Sequence, residues 1–190
     1  MKNFENLKAI LAVETKNFSS DTERVFHGRG HSFPPYDFLN IDLLGSVVLI
    51  TLYEDWDQRH LKSLADFLCD QYCTGNMTVV LQRRYLKPAQ TECLRGPQLK
   101  SLVVEEAGLR YKVQFDAGMH SGLFLDMAVA RQWLRERAQG RRVLNLFAHT
   151  CAFSVAAIAG GAQSVVTIDL NKGSLARGWE NHQPNNQPFS

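Results

Sequence analysis

The segment Val143-Leu144-Asn145-Leu146-Phe147-Ala148-His149-Thr150-Cys151-Ala152-Phe153, with Asp169 closing a second apolar run, constrains the fold more than any other part of the chain. It reads as strand, turn, helix and strand, and its carboxylate stands where nucleotide-binding α/β domains hold a ribose. In an open parallel sheet the ligand sits beyond the carboxyl ends of the strands, so Ala148 to Ala152 and Asp169 are expected to border one site. Their separation is close to the spacing of about 20 residues usual for the ribose-binding acid. The chain reaches Ser190 soon afterwards. A doubly wound domain uses several more strands, so an incomplete sheet is expected.

The chemistry of the turn discriminates between ligands. Dinucleotides require glycines that let the backbone approach the pyrophosphate, and His149-Thr150-Cys151-Ala152 has none. No GxxxxGK[ST] pattern is present to cradle the phosphates of a nucleoside triphosphate. A nucleoside without phosphates fits better, and S-adenosyl-L-methionine is the common ligand of that kind. A βαβ unit ending in an acid also occurs as a plain scaffold, and the turn by itself leaves both readings open.

Composition sets the outer bounds. Hydrophobic residues make up 45% of the 190 and charged residues 21%, which is globular composition. A net charge of +2 is too small to argue for nucleic acid without local clusters. The N-terminal residues intersperse charges among apolar positions, unlike a signal peptide, and no apolar run approaches the roughly 20 residues of a membrane span. Cys69, Cys73, Cys93 and Cys151 are then expected as reduced thiols in a soluble, cytoplasmic protein. Cys69 and Cys73 share a helical face without a second ligand pair nearby, and His27 and His31 lack a third ligand, so no metal site is expected.

The pattern along the chain predicts two regions. Phe4, Leu7, Ile10 and Leu11 predict a short helix, and FHGRGHSFPPYD reads as loop. Strands are expected at Phe38–Leu44, Ser46–Tyr53, Met77–Arg84, Leu102–Glu105 and Leu109–Asp116. A helix opening on an Asp55/Gln58 capping box runs to about Tyr72, ended by Thr74-Gly75-Asn76. This makes a small α+β domain over 22–117, preceded by a helix and linker over 1–21. From Gly118 the character changes: a helix over 126–138, a strand over 142–148, a helix over 153–159, a strand over 164–170 and a helix over 175–182. The first of these strands is apolar almost throughout and reads as covered on both faces.

The blocks SGLFLD, VLNLFAHTCAFSVAA, GGAQSVVTIDLNKG and WENH resemble the cofactor-binding half of class I S-adenosylmethionine-dependent methyltransferases. The resemblance is to the group containing the ribosomal RNA large-subunit methyltransferase I type, which methylates cytosine C5. FHGRGH, VVLQRRY and VVEEAGLRYKVQF are similar to the domain preceding the methyltransferase fold in that group. The resemblance implies an α/β fold, with the small α+β domain followed by a partial Rossmann-like domain over 118–190. It implies that Asn145, Phe147 and Thr150 line the methionine end of the cofactor, that Asp169 holds the ribose and that Leu170 covers the adenine, with Ala148 also among the cofactor-binding residues. Phe124 to Asp126 would fold back over the same site. Ala152 and Ala128 depart from the pattern, standing where a glycine and a basic residue are common. The family's cysteine nucleophile and its proline-containing motif belong to later parts of the fold, so no catalytic residue is nominated. The chain is expected to be an inactive fragment of a methyltransferase, with a noncatalytic RNA-binding or regulatory remnant as the alternative.

RNA contacts are expected from two basic clusters. One is Gln82-Arg83-Arg84-Tyr85 with Lys87, in which Tyr85 could stack on a base. The other is Arg131, Arg135, Arg137, Arg141 and Arg142. A solvated charged face is the competing reading of both.

Overall fold

The computed structural model describes residues 4–14, 22–72, 77–115 and 120–188. Cys73, the expected helix terminator at 74–76, the linker before Thr22 and the Gly118-Met119 part of the loop lie outside the described residues. The chain is α/β and divides into two compact units, Met1–Ser101 with Phe115–Met119, and Leu102–Gln114 with His120–Ser190.

The first unit is a five-stranded sheet in the order β1-β2-β3-β4-β5. Its strands are β1 (Thr22–His27), β2 (Leu39–Leu44), β3 (Val47–Leu52), β4 (Thr78–Arg83) and β5 (Gln90–Arg95). β2 and β3 form an antiparallel hairpin through Gly45, whose positive φ suits the tight turn. β3 and β4 run parallel because helix α2 (Gln58–Tyr72) carries the chain back between them. β1 and β5 are antiparallel edges.

Leu61, Leu64, Ala65 and Leu68 form the buried stripe of α2, and they pack with Phe4, Leu7 and Leu11 of helix α1 (Phe4–Glu14) in one apolar core. The cap of α2 differs from the expected box. Asp57 Oδ1 accepts the Arg59 amide at 2.8 Å, whereas Asp55 accepts the Tyr85 hydroxyl at 2.8 Å. The cap bonds and the Arg59 guanidinium hold the Asp57 carboxyl down, to about 2.

Both edge strands escaped the sequence reading. β1, TERVFH, has a bulge between Arg24 and Phe26, and β5 is largely exposed. The bulge breaks the alternation of β1, and the exposed β5 needs none, so neither carries the pattern that marks a half-buried strand.

The second unit opens with the hairpin β6 (Ser101–Glu106) and β7 (Leu109–Gln114), turned through Ala107 and Gly108, both at positive φ. The 22–117 boundary had placed this hairpin with the preceding strands, but it clusters instead with the later residues. A 3-10 turn at Leu125–Met127 leads into α3 (Ala128–Arg137), followed by β8 (Arg142–Leu146), α4 (Ala152–Ala159), β9 (Ser164–Ile168) and α5 (Lys172–His182). β8 and β9 are parallel, with Leu144 opposite Val166 and Leu146 opposite Ile168.

This sheet is covered on one face, not on both as its apolar run suggested. Asn145 Nδ2 donates to Ser154 Oγ at 2.9 Å and Ser154 Oγ bonds Thr167 Oγ1 at 2.8 Å, so α4 lies against the face bearing Asn145 and Thr167. Leu144, Leu146, Val166 and Ile168 alternate to the other face and are 50–60% exposed. Among the described residues each strand has one sheet neighbour, so each also keeps an open edge.

Candidate functional site

The site begins at the carboxyl ends of β8 and β9. Asp169 immediately follows β9, and its carboxylate is fixed by two backbone amides: Oδ2 accepts from His149 and Oδ1 from Asn171, both at 2.8 Å. The Asn171 bond, then the His149 bond, holds its carboxyl below the ordinary carboxylate range, so it is ionised at neutral pH. Each carboxylate oxygen accepts up to two hydrogen bonds, which leaves both able to take a ribose hydroxyl. The His149 bond also ties the end of β9 to the turn leaving β8.

That turn has an unusual backbone. Phe147, His149 and Cys151 all have positive φ, at 55°, 49° and 60°. Ala152, which departs from the family pattern, begins α4 in helical backbone, and Cys151 holds the left-handed N-cap position before it. The turn rests directly on α5, because a Cβ on Gly178 would collide with Cys151 Sγ. Burial, and then the charge of Asp169, pushes the Cys151 thiol up to about 11, which keeps it protonated at neutral pH, where it packs against Gly178 of α5.

A cavity of about 450 Å³ opens beside the turn, lined among others by Phe124, Asn145, Phe147, Ala148, His149 and Thr150. Its size falls in the range usual for small-molecule sites. Five of the eight residues carried over from the resemblance therefore meet there: Phe124, Asn145, Phe147, Ala148 and Thr150. Asp169 and Leu170 are outside the lining; Asp169 is tied to it through the His149 bond, and Leu170 follows it in the chain. Asp126 is exposed in the 3-10 turn and is not part of the lining. Phe147, two residues before His149, and Leu170, next to Asp169 in the chain, are apolar side chains 86% and 96% exposed. Such side chains suit an aromatic heterocycle attached to a ribose.

His149 belongs to the expected Ala148–Ala152 border, whereas two further participants, Arg131 and Asn181, were not singled out for this site from sequence. His149 faces Phe124 at 5.1 Å between ring centroids and His120 at 6.1 Å, making an aromatic rim. Arg131 also lines the cavity, yet it is 3% exposed, with its guanidinium bound to both oxygens of Glu106 at 2.7 and 2.6 Å. Asn181 is buried and donates to the Thr150 carbonyl at 2.8 Å. Neither Arg131 nor Asn181 has a local signal, since each acts through a partner distant in sequence.

The basic clusters divide on the same criterion. Arg83 is paired with Glu92 at 2.8 Å, and Arg131 with Glu106. Arg84 donates to the Tyr53 hydroxyl at 3.0 Å, and Tyr85 is engaged by Asp55. Arg137 lies over the exposed Trp133 ring at 4.7 Å, and Arg141 and Arg142 are exposed. A second cavity, of about 540 Å³, lies along β9 and α4; its lining includes His182 but no carboxylate. Among the described residues no helix is long and apolar enough to cross a membrane, and no group of three metal-ligating side chains occurs.

The chain is similar to known proteins in sequence and in fold. The chain is 30% identical over 161 residues to ribosomal RNA large subunit methyltransferase K/L of Pseudoalteromonas translucida, covering 80% of the chain and 23% of that protein. That relative is of the K/L type, whereas the sequence motifs had suggested the I type. A Streptococcus mutans structure described as a SAM-dependent methyltransferase superposes with a TM-score of 0.85 at 27% identity, covering 100% of this chain and 51% of that one. A methyltransferase structure complexed with SAH gives 0.80 at 27% identity, covering 98% and 48%. The chain thus spans about a quarter of the curated relative and about half of each structure. The profile of the S-adenosylmethionine-dependent methyltransferases matches residues 23–189, and the chain belongs to that family.

Proposed function

We propose that this chain is the cofactor-binding portion of a methyltransferase acting on large-subunit ribosomal RNA. The observation that carries the reading is the Asp169 carboxylate, held by the His149 and Asn171 amides beside a glycine-free turn. The names of the relatives support ribosomal RNA as substrate. Bound S-adenosylmethionine supplies an electrophilic methyl group on its sulfonium.

In this reading Asp169 accepts the ribose hydroxyls and Leu170 covers the adenine. Asn145, Phe147, Ala148 and Thr150 form the wall toward the methionine end, and Phe124 closes the rim. Asp126 has no place in the lining and is left without a role. No residue is assigned to chemistry on the acceptor base, and the base and atom modified are left unassigned because cytosine C5 rested on the I-type likeness alone. RNA contacts are assigned to the exposed Arg141 and Arg142, with Trp133 as a stacking surface, because Arg83, Arg131 and Arg137 are held in ion pairs with Glu92, Glu106 and Glu136.

Calorimetric titration with S-adenosylhomocysteine tests the cofactor assignment. Heat of binding that disappears in Asp169→Ala is the expected result. Silence in this chain and also in a form extended to the length of its relatives would remove it. RNA binding without any cofactor binding would favour the alternative of a noncatalytic RNA-binding remnant.

A further inference from the structure

The turn from Phe147 to Cys151 places three non-glycine residues in left-handed backbone. Such backbone persists only where its surroundings over-determine it. The surroundings here form a closed ring of hydrogen bonds. The Lys112 amide of β7 donates to Asn181 Oδ1 at 2.6 Å, and Asn181 Nδ2 donates to the Thr150 carbonyl at 2.8 Å. Thr150 Oγ1 donates to the Gly122 carbonyl. The neighbouring Ser121 carbonyl accepts from the Gln114 amide of β7 at 2.8 Å and from Arg177 Nη2 at 3.1 Å, which returns the ring to β7.

We infer that Asn181 is a positioning residue for the cofactor turn, and that through it the β6–β7 hairpin forms part of the cofactor site. The inference rests on the cofactor reading above. Asn181 and Thr150 are both buried, so water does not replace the bonds between them. Position 181 must accept from one backbone amide and donate to one backbone carbonyl, which a short carboxamide does and a carboxylate or an alkyl group does not. The two backbone partners also fix which way the amide points.

One helical turn later the fold supplies its own control. Asn185 pairs with the same strand, accepting from the Arg110 amide at 2.9 Å and donating to the Arg110 carbonyl at 2.7 Å. Its other bond is to the Asn181 carbonyl, at 2.8 Å, and no bond joins its side chain to the turn. Loss of Asn185 weakens the packing of the hairpin on α5 and leaves the Thr150 carbonyl satisfied.

The test compares wild type, Asn181→Asp and Asn185→Ala by amide hydrogen exchange and by titration with S-adenosylhomocysteine. Asn181→Asp keeps the acceptor for Lys112 and sets a carboxylate oxygen against the Thr150 carbonyl. Exchange at the His149 and Cys151 amides is expected to rise about tenfold or more in this variant, with binding of S-adenosylhomocysteine weakened about tenfold. Asn185→Ala is expected to lower Tm with neither change. Asn181→Ala, which removes both bonds without burying a charge, must reproduce the turn-specific effect if the aspartate variant does not fold. Equal exchange in the turn for the position 181 and 185 variants would overturn the inference, whatever the titration gives. A wild type silent toward S-adenosylhomocysteine, with exchange as expected, would instead overturn the cofactor reading and leave Asn181 as the brace of the turn.

Discussion

Asp169 Oδ2 accepts the backbone amide of His149 at 2.8 Å, so the carboxylate at the end of β9 and the turn at the end of β8 hold each other in place. Binding group and turn geometry are therefore one unit. Asp169→Asn retains the size of the side chain but turns one acceptor into a donor, which cannot serve both amides and both ribose hydroxyls. Affinity for S-adenosylhomocysteine is expected to fall at least about tenfold, or about 1.4 kcal/mol, as measured by calorimetry.

Two histidines give the second unit a pH-dependent stability. His149 is held below the ordinary imidazole value by burial first and the Arg177 charge second, with Asp169 opposing. His182 is held below it by burial, with its Gln187 hydrogen bond opposing. Between those lowered values and the unfolded value of about 6.5, the unfolded chain binds protons that the native chain does not, so stability rises with pH. The contribution is complete above about pH 6.5 and is lost as pH falls below it. Urea midpoints at about pH 7.5 and about pH 5.5 should differ accordingly, and His182→Gln should reduce the difference. Asp169 acts in a separate window. Its lowered value adds stability above about pH 4 that is lost only as pH falls through that value.

Arg131 and Glu106 form a buried two-point ion pair, with side chains 3% and 11% exposed. Glu106→Gln leaves the guanidinium buried without a counter-charge and is expected to cost about 3 kcal/mol or more in urea denaturation. The double replacement Glu106→Gln with Arg131→Met should be less damaging than Glu106→Gln alone. An additive cycle would show that the pair is not coupled.

The face carrying Leu144, Leu146, Val166 and Ile168 is apolar and exposed. Proteins that expose such a patch bind apolar dyes and associate. Leu144→Lys combined with Ile168→Lys should reduce dye fluorescence and concentration-dependent light scattering, while stability changes by no more than about 0.5 kcal/mol.

Legibility in the sequence followed the local density of signal. The β8–turn–α4–β9 unit was readable because apolar runs, a helix and a single acid fall within one short stretch. β2 and β3 were readable for the same reason. The edge strands β1 and β5 were not, since a bulge in β1 and the exposure of β5 remove the alternation that reveals a strand. Asp55 and Asp57 show the limit at the scale of a helix cap. Either could begin α2 by spacing, and the Tyr85 hydroxyl, thirty positions away, engages the first and leaves the second as cap.

By itself the sequence determined the family, that of the S-adenosylmethionine-dependent methyltransferases, and marked an acid after the second strand of a βαβ unit with a glycine-free turn as the proposed anchor. Tertiary structure decided which charges are available and what holds the turn. Arg83 and Arg131 look like RNA contacts in a linear reading, but Glu92 and Glu106 neutralise them once the chain folds. Asn181 looks like an ordinary helix residue until β7 and Thr150 converge on its carboxamide. The physical reason is common to these cases. A side chain's chemistry is intrinsic to its sequence position, whereas its pairing and burial depend on partners that only folding brings within hydrogen-bond distance.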